Sequence, residues 1–560
     1  MILKNYKNMN EEVILMRNIF ITTLAVVFII FLNSSINTLA GDSNKYVVNN
    51  NNELSQKEND DSKNINGLLP ISLPPVQFDE NNVVLKFAAI SDTHIQWKDA
   101  IPTKKLAEAL DQLNKKANGN LDALLISGDL TDYGIPDQVV ELKRVIDNSK
   151  IDLTKTRFVF ALGNHEYYNH QLQGAAWNGG YLFRDVFGDE TYHGATNEEI
   201  KAGNYHTVVN GYDFIAVYCA QYDGGVKYAA SDITWLKAQL VQAAANRPGK
   251  PIFVTSHPNI TGTNLGSNEG AYWNGSDLYS VFKDYPQVIF FCGHLHFPEN
   301  DERSIWQRDF TTIGIGSTYY CSNHSKDDEN GNTFIDIASG YETAEAQETS
   351  QGLYVEVDKN NNVKITRMDF ANKEEIKTPW LIPSPKIDKS QLLYYTPVQE
   401  AETFGKAAPV FPAGASVKEI LKNIKHNQKY QFQFTQAIDA DMVYSYQISF
   451  IDKSTGSVIS TISTLSDFYL HANTDEMDSV LIKTIYRADS VLAPFSLSYE
   501  KDYYIKVLAV NCFGKKSEPI FSGVIKGSGE KEGRIELPNS PSLLQNDSIP
   551  FNPAFCYRFF

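Results

Sequence analysis

Val83-Val84-Leu85-Lys86-Phe87-Ala88-Ala89-Ile90-Ser91-Asp92-Thr93-His94 is an apolar run that stops at a carboxylate and an imidazole. A run of that length and texture predicts a buried strand. The residues at its end are metal donors. The same arrangement recurs four times. The run 123–126 leads to Gly128-Asp129, and 158–162 leads to Gly163-Asn164-His165-Glu166. The run 252–255 leads to His257, and 288–292 leads to Gly293-His294-Leu295-His296. Sites in open α/β sheets lie outside the carboxyl ends of the strands, so all five groups are expected to converge on one edge. The glycines are expected to let the backbone turn sharply there.

A lone histidine is usually a packed or surface residue, and an Asp after a strand is often a helix cap. Five such placements in one order are hard to reach by accident. Of the eleven histidines, five (His94, His165, His257, His294 and His296) occupy these slots.

Between the apolar runs lie helical patterns at 103–116, 137–148 and 231–246. In the first, Leu106, Ala109, Leu110 and Leu113 share a face. Strands alternating with helices predict an α/β (α+β sandwich) domain over 83–370, with mixed central sheets flanked by helices. Segments 310–319 and 352–370 read as hairpin strands, with Asn360-Asn361-Asn362 as the turn of the second. A Pro-containing connector follows over 371–412. From 413 to 527 the pattern is strands alone, as in Val443-Tyr444-Ser445-Tyr446-Gln447-Ile448-Ser449-Phe450, predicting an all-β sandwich. The stretch from Tyr504 to Ser517 resembles the last strands of a fibronectin type III domain. The tail, 528–560, is polar and then aromatic.

At the other end, Met16-Arg17-Asn18 precedes an apolar run from Ile19 to Leu32, and small residues follow to Ala40. A basic start, a short apolar core and small residues predict a signal peptide over 1–40. The protein is therefore expected to be exported: secreted, periplasmic or on the cell surface. A membrane association follows only if the segment stays uncleaved. The Asn-rich stretch 41–82 reads as a disordered spacer. No Cys follows the apolar run, so no lipid anchor is indicated.

The formal charge of −17 argues against a nucleic-acid polymer as partner. It leaves room for a small phosphorylated substrate, because bound metal ions reverse the local field. The five cysteines are scattered and form no CxxC pair, which indicates neither a zinc knuckle nor a disulfide framework.

Asp-x-His, Gly-Asp, Gly-Asn-His-Glu, a lone downstream His and Gly-His-x-His, in that order, resemble the signature of the calcineurin-like metallophosphoesterases. The resemblance implies two divalent metal ions. One set of ligands would be Asp92, His94, Asp129 and His296; the other would be Asp129, Asn164, His257 and His294, with Asp129 shared. Carboxylates, neutral imidazoles and an amide oxygen suit Mn, Fe, Zn or Mg. The implied activity is phosphate ester hydrolysis by a hydroxide bridging ions about 3.5–4 Å apart. His165 would protonate the leaving oxygen, and Glu166 or another carboxylate would orient an imidazole.

Gly128-Asp129-Leu130-Thr131-Asp132 resembles the class III cyclic-nucleotide phosphodiesterases and their exported relatives. Purple acid phosphatases carry a Tyr ligand where Asp132 stands. A cyclic-nucleotide or other phosphodiesterase, a phosphomonoesterase and a non-catalytic binding scaffold all remain open readings of the sequence. Loops 174–204 and 258–277 are expected to shape the mouth of the site. There Trp177, Tyr272 and Trp273 either stack on a substrate or pack the loops. Asn259, Asn274 and Asn323 each begin an Asn-x-Ser/Thr sequon.

Overall fold

The computed structural model describes residues 77–167, 179–219, 221–222, 224–268, 272–321, 349–383, 407–423, 429–439, 442–466, 480–486 and 501–525. The expected signal peptide, most of the expected spacer, Trp177, the Asn323 sequon and the 528–560 tail lie outside the described residues. Among the described residues, no helix is long and apolar enough to cross a membrane.

The strands of the α/β region are β1 (Val83–Ile90), β2 (Ala123–Ser127), β3 (Arg157–Ala161), β4 (Tyr205–Val209), β5 (Tyr212–Ala216), β6 (Ile252–Thr255), β7 (Asn259–Ile260), β8 (Asn274–Gly275), β9 (Val288–Cys292), β10 (Ile305–Gln307), β11 (Thr311–Gly314), β12 (Gln351–Asp358), β13 (Val363–Asp369) and β14 (Glu374–Ile382). Twelve of them form two six-stranded sheets, ordered β14-β13-β12-β1-β2-β3 and β10-β11-β9-β6-β5-β4, and β7 pairs with β8 in a small parallel ribbon. Strands β1, β2 and β3 run parallel, as do β5, β6, β9 and β11. The antiparallel hairpin β12–β13 turns where expected, with Asn361 at φ 65°.

The sheets pack face to face through one buried core. Phe87 of β1 meets Phe214, Phe253 and Phe291 of the other sheet edge-on, with centroids 5.2, 4.9 and 5.9 Å away. Such edge-to-face contacts add to the area buried. Helices Ile101–Lys116, Pro136–Asn148 and Ala230–Asn246 cover the sheets. In the first, Leu106, Ala109, Leu110 and Leu113 are all buried, as their spacing demands.

Two expectations are corrected. The sheet does not end at 370: β14 pairs antiparallel with β13 and buries Ile376, Trp380 and Ile382. Pro379 made the segment read as a connector, yet an edge strand tolerates Pro. Its register shifts at a bulge beside Lys377, at φ 49°. The expected mouth loop 174–204 is instead largely helical where described, over Gly179–Phe187 and Asn197–Ala202. Thr196 and Glu199 form a reciprocal capping box there.

The C-terminal region contains β15 (Val417–Asn423), β16 (Lys429–Thr435), β17 (Val443–Asp452), β18 (Val458–Leu465), β19 (Val480–Tyr486), β20 (Tyr503–Asn511) and β21 (Ile520–Phe521). These form an antiparallel three-stranded sheet, β15-β16-β19, and an antiparallel four-stranded sheet, β18-β17-β20-β21. Phe432 and Phe434 from one pack with Tyr446, Ile448, Phe450, Ile505 and Val507 from the other.

Candidate metal centre

The parallel strands β1 and β2 continue their partnership past their ends. The amides of Asp92, His94 and Ile95 donate to the carbonyls of Gly128, Asp129 and Leu130, at 3.0 to 3.1 Å. This carries Asp92 and His94 alongside Asp129. In the second sheet, the Gly293 amide donates to the His257 carbonyl at 2.9 Å, bringing the β6 and β9 ends together. Ser127 stitches the two sheets, its hydroxyl 3.0 Å from the carbonyls of both Ser256 and Phe291.

The result is a single buried cluster. Donor atoms of Asp92, His94, Asp129 and His296 lie within 4.8 Å of one another, and so do those of Asp129, His257 and His294. Asp129 belongs to both groups. Asn164 joins the second, its Oδ1 3.0 Å from His257 Nε2. His94 Nε2 and His296 Nε2 are only 3.3 Å apart. The convergence of nitrogen and oxygen lone pairs fits a pair of divalent ions.

The hydrogen bonds behind the rings fix which nitrogen faces inward. His257 Nδ1 lies 2.8 Å from the Ser127 carbonyl, and His296 Nδ1 lies 3.1 Å from that of Tyr320. Both therefore turn Nε2 to the cluster. His294 does the opposite, with Nε2 3.3 Å from the Tyr272 carbonyl, leaving Nδ1 to face inward.

Electrostatics follow the geometry. Burial alone would raise the Asp92 and Asp129 carboxyls, but the imidazoles beside them outweigh it and hold both below the usual carboxylate range. Burial lowers His257, yet the Asp129 and Asp92 carboxylates overcome it and hold the ring up at about 9. Burial and the neighbouring His257 push His294 down to about 3.

Backbone strain concentrates here. Asp92, His94, Asp129, His294 and His296 have φ of 52°, 44°, 46°, 74° and 56°. Left-handed conformations at such residues cost on the order of 1 kcal/mol or more each and cluster at functional sites. Gly128, at φ 91°, turns the backbone as expected, whereas the other two motif glycines serve a different purpose. Gly163 and Gly293 have no left-handed φ; a Cβ at Gly163 would overlap Asp129 Oδ1, and one at Gly293 would overlap the Asp92 carboxylate. They leave room for the carboxylates rather than for a turn.

His165 differs from its neighbours. Its side chain is 23 % exposed, whereas those of Asp129 and Asp132 are 2 % and 4 % exposed. Its amide donates to Asp129 Oδ1 at 2.9 Å, and its Nε2 stands 3.8 Å from Asp129 Oδ2. The carboxylate beside it is Asp132, with Oδ1 3.7 Å from His165 Nδ1 and 3.6 Å from His94 Nδ1. Sequence reasoning noted Asp132 by its place three residues after Asp129 but gave it no role at the imidazoles. Glu166 orients no imidazole. It accepts hydrogen bonds from the Thr131 amide, the Thr131 hydroxyl and the Gly163 amide, at 2.8, 2.9 and 2.8 Å. It thereby pins the loops after β2 and β3 together. Burial and the nearby Asp129 raise its carboxyl to about 7.

Aromatic rings surround the cluster. Tyr222, Tyr272 and Trp273 lie 5.5, 5.5 and 4.7 Å from His294, and Tyr320 lies 4.3 Å from His296. Trp273 also packs on the buried Leu265, Leu295 and Phe297. Cys292 is packing, fully buried beside Asn259. Cys219, Cys292, Cys321 and Cys512 are all free thiols.

The calcineurin-like phosphoesterase family model matches residues 85–298, which contain all seven clustered residues and His165. Among solved structures, a purple acid phosphatase from yellow lupin (Lupinus luteus) seeds is 11% identical with a TM-score of 0.37, over 55% of each chain. The protein thus spans about half the length of that relative. A two-domain fibronectin type III segment of chicken tenascin is 14% identical with a TM-score of 0.14, over 32% of this chain and 66% of that one. A sequence comparison with curated proteins gives no match. The stretch of the two-sheet unit that gathers this buried Asp/His cluster is thus the stretch that matches the calcineurin-like phosphoesterase model.

Proposed function

We propose that the protein is an exported hydrolase of phosphate esters, with phosphodiesters, cyclic nucleotides among them, as its substrate class. The observation that carries the hydrolase reading is the double membership of Asp129 in two buried donor groups. In this reading Asp92, His94, Asp129 and His296 hold one divalent ion, and Asp129, Asn164, His257 and His294 hold the other. Ions bound there would supply Lewis acidity, neutralise phosphoryl charge and bring the pKa of water towards neutrality.

The chain's own groups do the rest. The buried carboxylates offset the charge of the ions, and the outward hydrogen bonds of His257, His294 and His296 aim their inner nitrogens at the cluster. His165, the half-buried imidazole at the cluster's rim, hands a proton from Nε2 to the departing oxygen. Its other nitrogen, 2.8 Å from the Asp132 carbonyl, holds that orientation. Proton transfer of this kind contributes about 10²–10⁴-fold. The aromatic rim of Tyr272, Trp273 and Tyr320 supports a substrate with a flat substituent. The Gly-Asp-Leu-Thr-Asp run supports the diester preference, and the 1–40 segment supports export.

The experiment is a panel of aryl and alkyl phosphate monoesters and diesters, with cyclic nucleotides, assayed with Mn²⁺, Fe²⁺, Zn²⁺ and Mg²⁺. Turnover of diesters above monoesters is expected. A metal-loaded preparation inert towards every ester would refute the hydrolase reading.

A further inference from the structure

The loop that follows His296 is unusual: residues 299–304, all polar or charged, are all buried. Loops run on surfaces because buried polar groups need partners. Two bodies cover this one. On the first side, Glu302 accepts from Arg367 Nη1 at 2.8 Å and from Trp380 Nε1 at 2.7 Å, both in the β13–β14 hairpin. On the second side lies the β-sandwich, where the Arg303 guanidinium sits 4.9 Å from the Tyr444 ring centroid. Tyr444 does not belong to the sandwich core that Tyr446, Ile448 and Phe450 fill. It lies in a separate buried cluster with Met442 and Cys512.

Arg303 leads directly to the metal histidines. Asp301 holds its guanidinium with two bonds, Nε to Oδ1 at 3.0 Å and Nη2 to Oδ2 at 2.7 Å. The Arg303 carbonyl accepts from the Leu265 amide at 2.8 Å. Leu265 is buried with Leu295 and Phe297, which flank His296 and follow His294. The chain of contacts is Tyr444, Arg303, Leu265, Leu295 and then the two ligands. Both histidines have left-handed φ, so their loop must be held from outside.

We propose that the β-sandwich is a brace for the metal centre, transmitting support from Tyr444 through Arg303 to the loop bearing His294 and His296. Its consequence for metal affinity rests on the metal-site reading above; the brace itself does not. A cation–π contact of this kind is worth a factor of about 2 to 30 in an equilibrium.

The test uses the full chain. Hydrogen exchange at the Leu265 amide and Mn²⁺ affinity by equilibrium dialysis are compared for wild type, Tyr444→Ala, Tyr444→Phe and Ile448→Val. The last loosens the sandwich core away from Arg303. Faster exchange in Tyr444→Ala and about 2- to 30-fold weaker Mn²⁺ binding are expected. Tyr444→Phe, which keeps the ring, and Ile448→Val are expected to match wild type. Unchanged exchange in Tyr444→Ala overturns the brace, and so does an equal rise in Ile448→Val. Faster exchange with unchanged Mn²⁺ affinity also overturns it, reducing the contact to ordinary domain packing. If wild type takes up no Mn²⁺, the metal-site reading fails by itself, and the exchange arm still decides the brace.

Discussion

His165 Nδ1 lies 2.8 Å from the backbone carbonyl of Asp132, while the Asp132 carboxylate stands 3.7 Å from the same nitrogen. One residue thus supports the imidazole twice, and Nε2 is left facing the rim. His165→Ala should keep metal content yet lose about 10²–10⁴-fold in turnover of alkyl esters. The loss should be smaller for aryl esters, whose leaving groups need less protonation. Rates on a leaving-group series, alongside metal analysis, check this; equal losses across the series would contradict it.

Gly163→Ala is expected to abolish metal binding, because the new Cβ would occupy the place of Asp129 Oδ1. The control is Gly523→Ala, where a Cβ meets nothing within 4 Å. Calorimetric metal titration of both variants distinguishes a local effect from general damage.

His257, held up at about 9 by Asp129 and Asp92, carries a proton in the metal-free protein at neutral pH. A ligand must be neutral, so metal binding at pH 7 should release protons. The enthalpy of binding will then vary with the ionisation enthalpy of the buffer. The metal-free fold has a matching pH dependence. Pairing of the imidazolium stabilises it fully below about pH 6.5, and that contribution is lost as pH rises through about 9. Its melting temperature should fall over that window, and the metal-loaded form should not follow.

His296 pays for its place with a φ of 56°. Asn accepts that conformation more readily than most residues. His296→Asn should keep the metal-free melting temperature within about 4 °C of wild type. The rise in melting temperature on adding Mn²⁺ should shrink sharply. Scanning calorimetry with and without metal measures both.

The strands that carry the cluster were legible because each is a short apolar run ending in a donor. No single one of the seven clustered residues stands out on that basis; the order of the five placements singles them out together. Glu166 and Asp132 could not be assigned the same way. Which of two nearby carboxylates faces an imidazole depends on how the loops after β2 and β3 cross, and that is a tertiary fact. The β14 strand was hidden by Pro379, because sequence does not say whether a strand lies at an edge. The contact of Tyr444 with Arg303 was equally hidden, since alternation along β17 gives a face but not what covers it.

The clustered residues divide between the sheets: Asp92, His94, Asp129 and Asn164 follow strands of the first, and His257, His294 and His296 follow strands of the second. Ions seated among them would act as rivets across a seam that is otherwise joined by side-chain packing and the hydrogen bonds of Ser127. Stripping them should therefore slacken the two halves as a unit, lowering the cooperativity of unfolding rather than fraying a single loop.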